Sequence, residues 1–189
     1  MKVSKAQAAE NRATLIAIAS QRLRSGGFEA MATGDIAKAA ALTHGALYSH
    51  FKSKEGLTAE ALSEAFRECH EDFSKLDAKA WFEQYLSPQH RDAPDMGCPM
   101  AALVSEVPHQ SDAIQRRFAA GSEAFIALAS ENLGRPNEAS VERREQGLFM
   151  IAAMMGGLAL SRALKTADPM MSEAVLTVIR KQLEEYQAG

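Results

Sequence analysis

The sequence has few of the features that mark membrane, metal-binding or secreted proteins. Its two cysteines, Cys69 and Cys98, do not have the spacing of a zinc site, and no signal peptide is recognisable. The longest apolar run, Leu148 to Leu160, has thirteen residues, whereas a membrane helix needs about 20. We therefore expect a cytoplasmic protein that has no membrane contact, no structural disulfide, no metal and no cofactor.

Strand patterns are also missing. Apolar residues recur at helical spacing along most of the chain, and no stretch alternates in the way that a half-buried strand requires. The pattern predicts an all-α fold with helices at about residues 5–25, 35–40, 43–51, 54–75, 81–86, 100–107, 112–133, 138–164 and 169–186. A proline-bearing segment, residues 87–99, is predicted to be a loop and is the best candidate for a mobile or ligand-adjacent segment.

The net charge of −3 conceals an uneven distribution. Residues 1–56 contain eight lysines and arginines against four acidic residues, whereas residues 57–189 contain thirteen against twenty. A basic amino-terminal part beside an acidic remainder is expected when only the first part contacts nucleic acid.

The most informative segment, residues 42–57, reads LTHGALYSHFKSKEGL. Thr43 is a good N-cap for a helix in which Leu47 and Phe51 share one face, while short side chains occupy the opposite face. The preceding short helix is separated from it by only a tight turn, which is the length of a helix-turn-helix connection. The second helix is therefore predicted to lie in a DNA groove.

Residues 12–62 resemble the DNA-binding domain of the TetR/AcrR family of bacterial repressors. The resemblance is carried by Gly27-Phe28, Asp35-Ile36-Ala37, Leu42-Thr43-His44-Gly45, Leu47-Tyr48, His50-Phe51 and Ser53-Lys54-Glu55. It implies that phosphates are held by Thr43, Tyr48, His50 and Lys54, and that bases face His44, Gly45 and Ala46. The helical wheel places Ser49 and Lys52 on the same exposed side.

Two departures from the family pattern concern the first helix of the motif. Ala41 stands in the turn where the family usually has glycine, and an alanine at positive φ costs on the order of 1 kcal/mol. Met31-Ala32 replaces the family's hydroxyl pair, so a phosphate-binding hydroxyl is missing. Thr33 is the candidate to replace it.

The resemblance further implies a DNA-binding domain at residues 1–55 and a helical ligand-binding and dimerisation domain at residues 56–189, joined by a long helix. The protein would then be a homodimeric repressor that a small apolar ligand releases from a palindromic operator. Candidate pocket residues are Phe66, His70, Phe73, Trp81, Tyr85, Cys98, Met100, Leu103, Phe118, Phe125, Met150 and Met154. Candidate dimer residues are Ala152, Met155, Gly156, Ala159, Leu176, Ile179 and Leu183.

Several alternatives stay open at this point. Each pocket candidate also fits an ordinary core position, so the protein could bind DNA without any inducer, its body serving only to dimerise. A thiol at the start of a short helix could instead sense oxidants through Cys98. Cys69-His70, His90 and His109 match no metal-ligand spacing, and the three histidines are expected at the surface. An enzyme is not predicted, because Cys98 and His70 lack an orienting third residue.

Overall fold

The computed structural model describes residues 4–135 and 138–188, and within them it confirms the all-α fold. Ten helices follow one another: α1 (Lys5–Gly26), α2 (Thr33–Ala39), α3 (His44–His50), α4 (Lys54–Phe73), α5 (Ala78–Tyr85), α6 (Pro88–Asp92), α7 (Pro99–Leu103), α8 (Asp112–Leu133), α9 (Ser140–Leu164) and α10 (Pro169–Ala188). Short 3₁₀ turns lie at Phe28–Ala30, Pro94–Met96 and Val107–His109.

Most helices begin where a short polar side chain caps the first turn. Thr43, Ser53 and Ser111 each accept a hydrogen bond from the backbone N–H three residues further on, at 3.1, 3.0 and 3.5 Å. Such caps satisfy donors that a helix start otherwise leaves unpaired. Helix α2 is an exception, because Ala32 stands at its N-cap and offers no side-chain acceptor. The hydroxyl that is missing from the sequence is therefore also missing as a helix cap.

Helices α1 to α3 contribute the amino-terminal part of the hydrophobic core. Leu15 and Leu23 of α1, Ile36 of α2 and Leu47 of α3 are fully buried, and Phe51 closes the end of the cluster. The predicted inner face of the second motif helix is thereby confirmed. Its opposite face stays exposed to solvent.

The turn between α2 and α3 has the strained geometry that its sequence predicts. Ala41 has a φ of +55° and is the one non-glycine residue at positive φ in the described chain. A Cβ atom in this left-handed region crowds the neighbouring carbonyl oxygen. The structure thus keeps the turn and strains the alanine.

Helix α4 connects the two halves of the molecule. It packs against α1 on one side and α8 on the other, and its stripe of buried residues runs from Leu57 to Phe73. A second link forms where the backbone N–H of Phe28 donates to the Glu106 carboxylate at 2.9 Å. Gly27, at a φ of +67°, leaves room for that carboxylate, since a Cβ atom there would lie 2.2 Å from the Oε1 atom of Glu106.

The segment after α5 differs from the prediction of a loop. Residues 87–99 contain helix α6 and the turn Pro94–Met96, because Ser87 caps the backbone N–H of His90 at 3.1 Å and Pro88 fits the first helical position. The turn Pro94–Met96 packs directly against α1. The segment is therefore ordered and lies at the contact between the two halves.

Helix α9 is long and apolar enough to cross a membrane by length and composition alone. In the structure it packs against α8 and α10, with Met150, Ile151, Met154 and Leu158 turned into the core. The buried pair Ser161 and Ser172 joins α9 to α10 by a hydroxyl contact of 2.9 Å. These contacts are those of a core helix.

We expect Ala41→Gly to stabilise the protein by about 1 kcal/mol, because glycine adopts the positive φ of this turn without a steric penalty. Urea unfolding of both proteins measures the change as a shift in midpoint at constant slope. Ala13→Gly, at an exposed site within α1, is the matched control and should lose about 0.5–1 kcal/mol. Equal destabilisation by both replacements would contradict strain at Ala41.

Candidate DNA-binding surface and effector site

The exposed side of α3 is suited to approach a DNA groove. His44 and Gly45 at its start are exposed, and a Cβ atom built on Gly45 would meet no protein atom within 4 Å. The Thr43 hydroxyl accepts the N–H of Ala46 as a cap, and its own hydrogen stays available to donate to a phosphate oxygen. The phosphate and base contacts that the family resemblance implies for these residues remain predictions.

A chain of side-chain contacts orders this surface. The Thr33 hydroxyl lies 3.1 Å from Nε2 of His44, and the His44 ring meets the Tyr48 ring edge to face at 4.9 Å between centroids. Ser49 instead turns its hydroxyl back to the Ala46 carbonyl at 2.6 Å. Thr33 is therefore positioned as a support for His44, a role that the sequence does not reveal.

Positive charge lies on both flanks of α3. Lys52 and Lys54 are exposed after its end, and Lys38 is exposed on α2. Within the described residues none of these three lysines forms an ion pair, whereas most arginines of the molecule do. His50 is half-buried beside Phe51. Cations without a protein partner are available for the phosphates of a duplex.

The predicted apolar pocket of the body is mostly filled by its own candidates. Phe73, Trp81, Tyr85 and Phe125 form one aromatic cluster, with ring centroids of neighbours 5.1 to 5.7 Å apart. Met100, Leu103, Met150 and Met154 are buried in the surrounding core, while Phe66 and Phe118 pair separately at 5.6 Å. His70 was expected in the wall, but it lies exposed on the outer side of α4.

A cavity of about 240 Å³ opens beside the aromatic cluster. It is lined by Cys69, Asp72, Phe73, Gln84, Ser87, Gln89, His90, Ala93 and Met96, so it lies between α4, α5 and the ordered segment 87–99. Near it, the Trp81 Nε1 atom is buried without a hydrogen-bond partner in the described structure. Buried donors of this kind usually have a partner, so a ligand is one way to supply it.

His90 is held in one neutral tautomer at this cavity. Its Nε2 atom accepts the backbone N–H of Cys98 at 3.0 Å, so its Nδ1 atom must carry the proton and donate to the Tyr85 carbonyl at 2.8 Å. Burial lowers the pKa of His90 to about 4; the hydrogen bond to Tyr85 opposes this shift and the nearby Arg162 charge assists it. The expectation of a solvated surface histidine is wrong for His90.

The two cysteines lie side by side although 29 positions separate them. Both are buried and free, and each is close enough to shift the pKa of the other. Burial raises the pKa of Cys98, but hydrogen bonds from Cys69, Tyr85 and the start of α7 outweigh it and hold that pKa below its ordinary value. The pKa of Cys69 is raised, first by the neighbouring Cys98 side chain and second by burial.

An exposed apolar face runs along α9 and α10. It comprises Phe149, Ala152, Gly156 and Leu160 on α9 with Met171 and Val178 on α10, and we call it the α9–α10 face. Of the predicted dimer residues, Ala152 and Gly156 lie on it, and Met155, Ala159 and Ile179 are partly exposed. Leu176 and Leu183 were expected there, but they are buried within the protomer because α10 turns them towards its own core.

No group of three or more potential metal ligands occurs in the described residues 4–135 and 138–188. Cys69 and His90 line the same cavity, but both ring nitrogens of His90 are already bonded to backbone. A metal role has no support from this arrangement.

Comparison with known proteins matches two family models to this chain. Residues 15–61 match the bacterial regulatory proteins of the tetR family, and residues 59–175 match the C-terminal domain of LmrA/YxaF-like transcriptional regulators. The two matches meet within α4. The second alone spans more than half of the chain.

Similar proteins are regulators of the same kind. The HTH-type transcriptional repressor NemR of Escherichia coli K12 is 23% identical over 176 residues, which cover 85% of this chain and 88% of NemR. The structure of E. coli NemR in its reduced form shares a TM-score of 0.73 at 24% identity, over 90% and 96% of the two chains. A TetR regulator from Chloroflexus aurantiacus has a TM-score of 0.74 at 23% identity, over 95% and 96%.

The neutral state of His90 predicts a loss of stability in mild acid. Its pKa is lower in the folded protein than the ordinary 6.5, so the unfolded chain binds more protons between pH 6.5 and 4. The free energy of unfolding should therefore fall by roughly 2 kcal/mol as pH drops through this window.

Urea unfolding at several pH values checks this expectation in the unmodified protein and in His90→Gln, whose stability should depend less on pH. His70→Gln, at an exposed histidine, should keep the original dependence. If His90→Gln keeps it too, the assigned tautomer is incorrect.

Proposed function

Since the chain belongs to the TetR family of bacterial transcriptional regulators, we propose that it acts as a cytoplasmic homodimeric repressor that binds a palindromic operator and leaves it when an effector acts on the helical body. The observation that carries the DNA-binding part is the exposed surface of α3, where a capping hydroxyl, an ordered His44–Tyr48 pair and unpaired lysines lie together. An arrangement of this kind suits phosphate contacts at the edges of the α3 surface and base contacts at the start of α3.

Replacing Lys54 by alanine should weaken binding to every DNA sequence. Each phosphate contact contributes about −0.9 to the slope of log affinity against log salt. A dimer that loses one contact in each of its two DNA-binding domains should therefore show a slope that is shallower by about 2. Lys79→Ala on α5, whose side chain is equally exposed in the body, is the matched control and should leave the slope unchanged. His44→Ala should instead alter base preference, read by selection from random DNA at fixed salt.

Dimerisation is proposed through the α9–α10 face. Apolar residues rarely form a continuous exposed patch in a monomer, and Leu160 and Val178 are each more than half exposed. Ala152 and Gly156 between them allow close approach of a partner helix, since a Cβ atom on Gly156 would meet nothing within 4 Å. A two-fold pairing of this face would place two α3 helices against a palindrome.

Val178→Asp should dissociate the dimer, because it would bury a carboxylate against an apolar partner surface. We expect the dimer dissociation constant to rise about 100-fold or more, measured by sedimentation at several concentrations. Val104→Asp, at an exposed valine outside this face, should leave the dimer intact. A dimer that survives Val178→Asp would place the interface elsewhere.

The effector part of the proposal rests on the cavity beside Phe73. Its wall includes α4, which continues to Lys54 at the DNA-binding surface, so a ligand there acts on a rigid connection to α3. The unpartnered Trp81 Nε1 favours a small ligand with a hydrogen-bond acceptor.

A second candidate effector is an oxidant, favoured by the contact between Cys69 and Cys98. Hydrogen peroxide would convert the two thiols to a disulfide with release of two water molecules, and Cys69 lines the cavity by which it would enter. NemR, which is similar to this chain, has a structure described as its reduced form.

One experiment separates the two candidates. Release of operator DNA is measured for the unmodified protein and Cys98→Ser, with a panel of small apolar compounds under reducing conditions and with hydrogen peroxide. Ligand control predicts release by a compound that also raises the melting temperature and still acts on Cys98→Ser. Thiol control predicts release by peroxide that Cys98→Ser abolishes. Release by neither treatment would favour a regulator without an effector.

A further inference from the structure

A second cavity is larger than the one beside the aromatic cluster. It measures about 420 Å³ and lies where the end of α1 faces α6, α7 and α9. Its lining residues are Arg24, Ser25, Arg91, Asp92, Pro94, Ala101, Ala102, Ala159, Arg162 and Lys165. Four cations and one carboxylate therefore surround a single space, and we call it the basic cavity.

Three of the four cations have carboxylate partners. Arg24, whose side chain is fully buried, binds Glu68 at 2.5 Å. Arg91 binds Asp92 and Glu173 at 2.7 and 3.2 Å, and Lys165 also binds Asp92 at 3.0 Å. Three carboxylates thus pair with three of the four cations, and the fourth, Arg162, has no carboxylate within ion-pair distance in the described structure.

The uncompensated cation is Arg162. It forms no ion pair within the described residues, and its Nε and Nη2 atoms donate only to the carbonyls of Arg91 and His90, at 3.2 and 2.8 Å. The Nη1 atom has no hydrogen-bond partner there and is available to a ligand. A buried or half-buried charge without a counter-charge is costly, so an anion at this point would stabilise the protein.

Arg24 lines the same space but is already bonded within the protein. Its side chain is fully buried, and it donates to the carbonyls of Ser20 and Gly97 at 3.4 and 3.3 Å and to Glu68 at 2.5 Å. Arg24 therefore adds positive charge to the wall, while the guanidinium of Arg162 supplies the free donor for a carboxylate.

The rest of the wall indicates what the anion carries. Pro94, Ala101, Ala102 and Ala159 offer an apolar surface with short side chains, and the volume exceeds that of a small inorganic ion. We propose that the basic cavity binds a small organic carboxylate, with the carboxylate at Arg162 and its apolar part on the alanines. A single negative charge matches the single uncompensated cation.

Benzoate is the probe, and benzamide is its neutral counterpart of nearly the same shape. In differential scanning fluorimetry of the full chain at constant ionic strength, benzoate at about ten times its dissociation constant should raise the melting temperature by about 3–5 °C. Benzamide should change it by less than about 1 °C. If benzoate does not change the melting temperature at concentrations up to about 20 mM, or if benzamide changes it equally, the proposal is overturned.

Arg162→Gln should abolish the benzoate response, while Arg116→Gln, at an exposed arginine of α8, should retain it. If Arg162→Gln fails to fold, Lys165→Met at a half-exposed position serves instead. Without Lys165, Asp92 loses one of its cationic partners and repels the bound carboxylate more strongly. This variant should therefore bind benzoate several-fold more weakly. Retention of full affinity in the folded variant contradicts the site. A response to inorganic phosphate without one to benzoate would contradict the organic class. Because the melting measurement involves no DNA, its result tests the carboxylate site independently of the repressor function.

Discussion

Helix α4 has to pack against two partners at once, α1 of the amino-terminal part and α8 of the body, and the remaining architecture follows from that requirement. Its buried stripe continues for five turns, so the two halves share one rigid element where a loop would allow free movement. Polar contacts at both sides fix the angle: Arg24 binds Glu68 of α4, and Glu106 binds the backbone of Phe28. Because packed helices resist continuous deformation, the proposed effector control would require α1 and α4 to move together.

The amino-terminal part could be predicted closely from sequence because its structure is set by neighbours along the chain. A threonine N-cap, two apolar residues one turn apart and a turn that requires positive φ are all local features, and Thr43, Leu47 and Ala41 adopt the expected geometry. The support that Thr33 gives to His44 joins residues eleven positions apart across the turn. Such a contact depends on how the two helices cross, which composition and spacing leave open.

The body could be predicted as helices but less well as a site. Aromatic residue types favour a pocket and a solid core equally, and here Phe73, Trp81 and Phe125 pack on one another, leaving a smaller and more polar cavity at the edge of the cluster. Leu176 and Leu183 are apolar at helical spacing whichever way α10 is turned, so their burial in the protomer is decided by α9. The contact of Cys69 with Cys98 likewise requires α4 and α7 to be placed side by side.

Gly97 shows how closely the parts depend on one another. Its carbonyl accepts from Arg24, while a side chain there would collide with the His90 ring at 2.7 Å and with Arg162 at 2.9 Å. The next residue, Cys98, donates its N–H to that ring. A proton on Nε2 would remove this acceptor and add a third positive charge beside two arginines, so packing and charge both require a neutral imidazole. Glycine at position 97 thus lets the His90 ring and the Arg162 guanidinium lie against the same stretch of backbone.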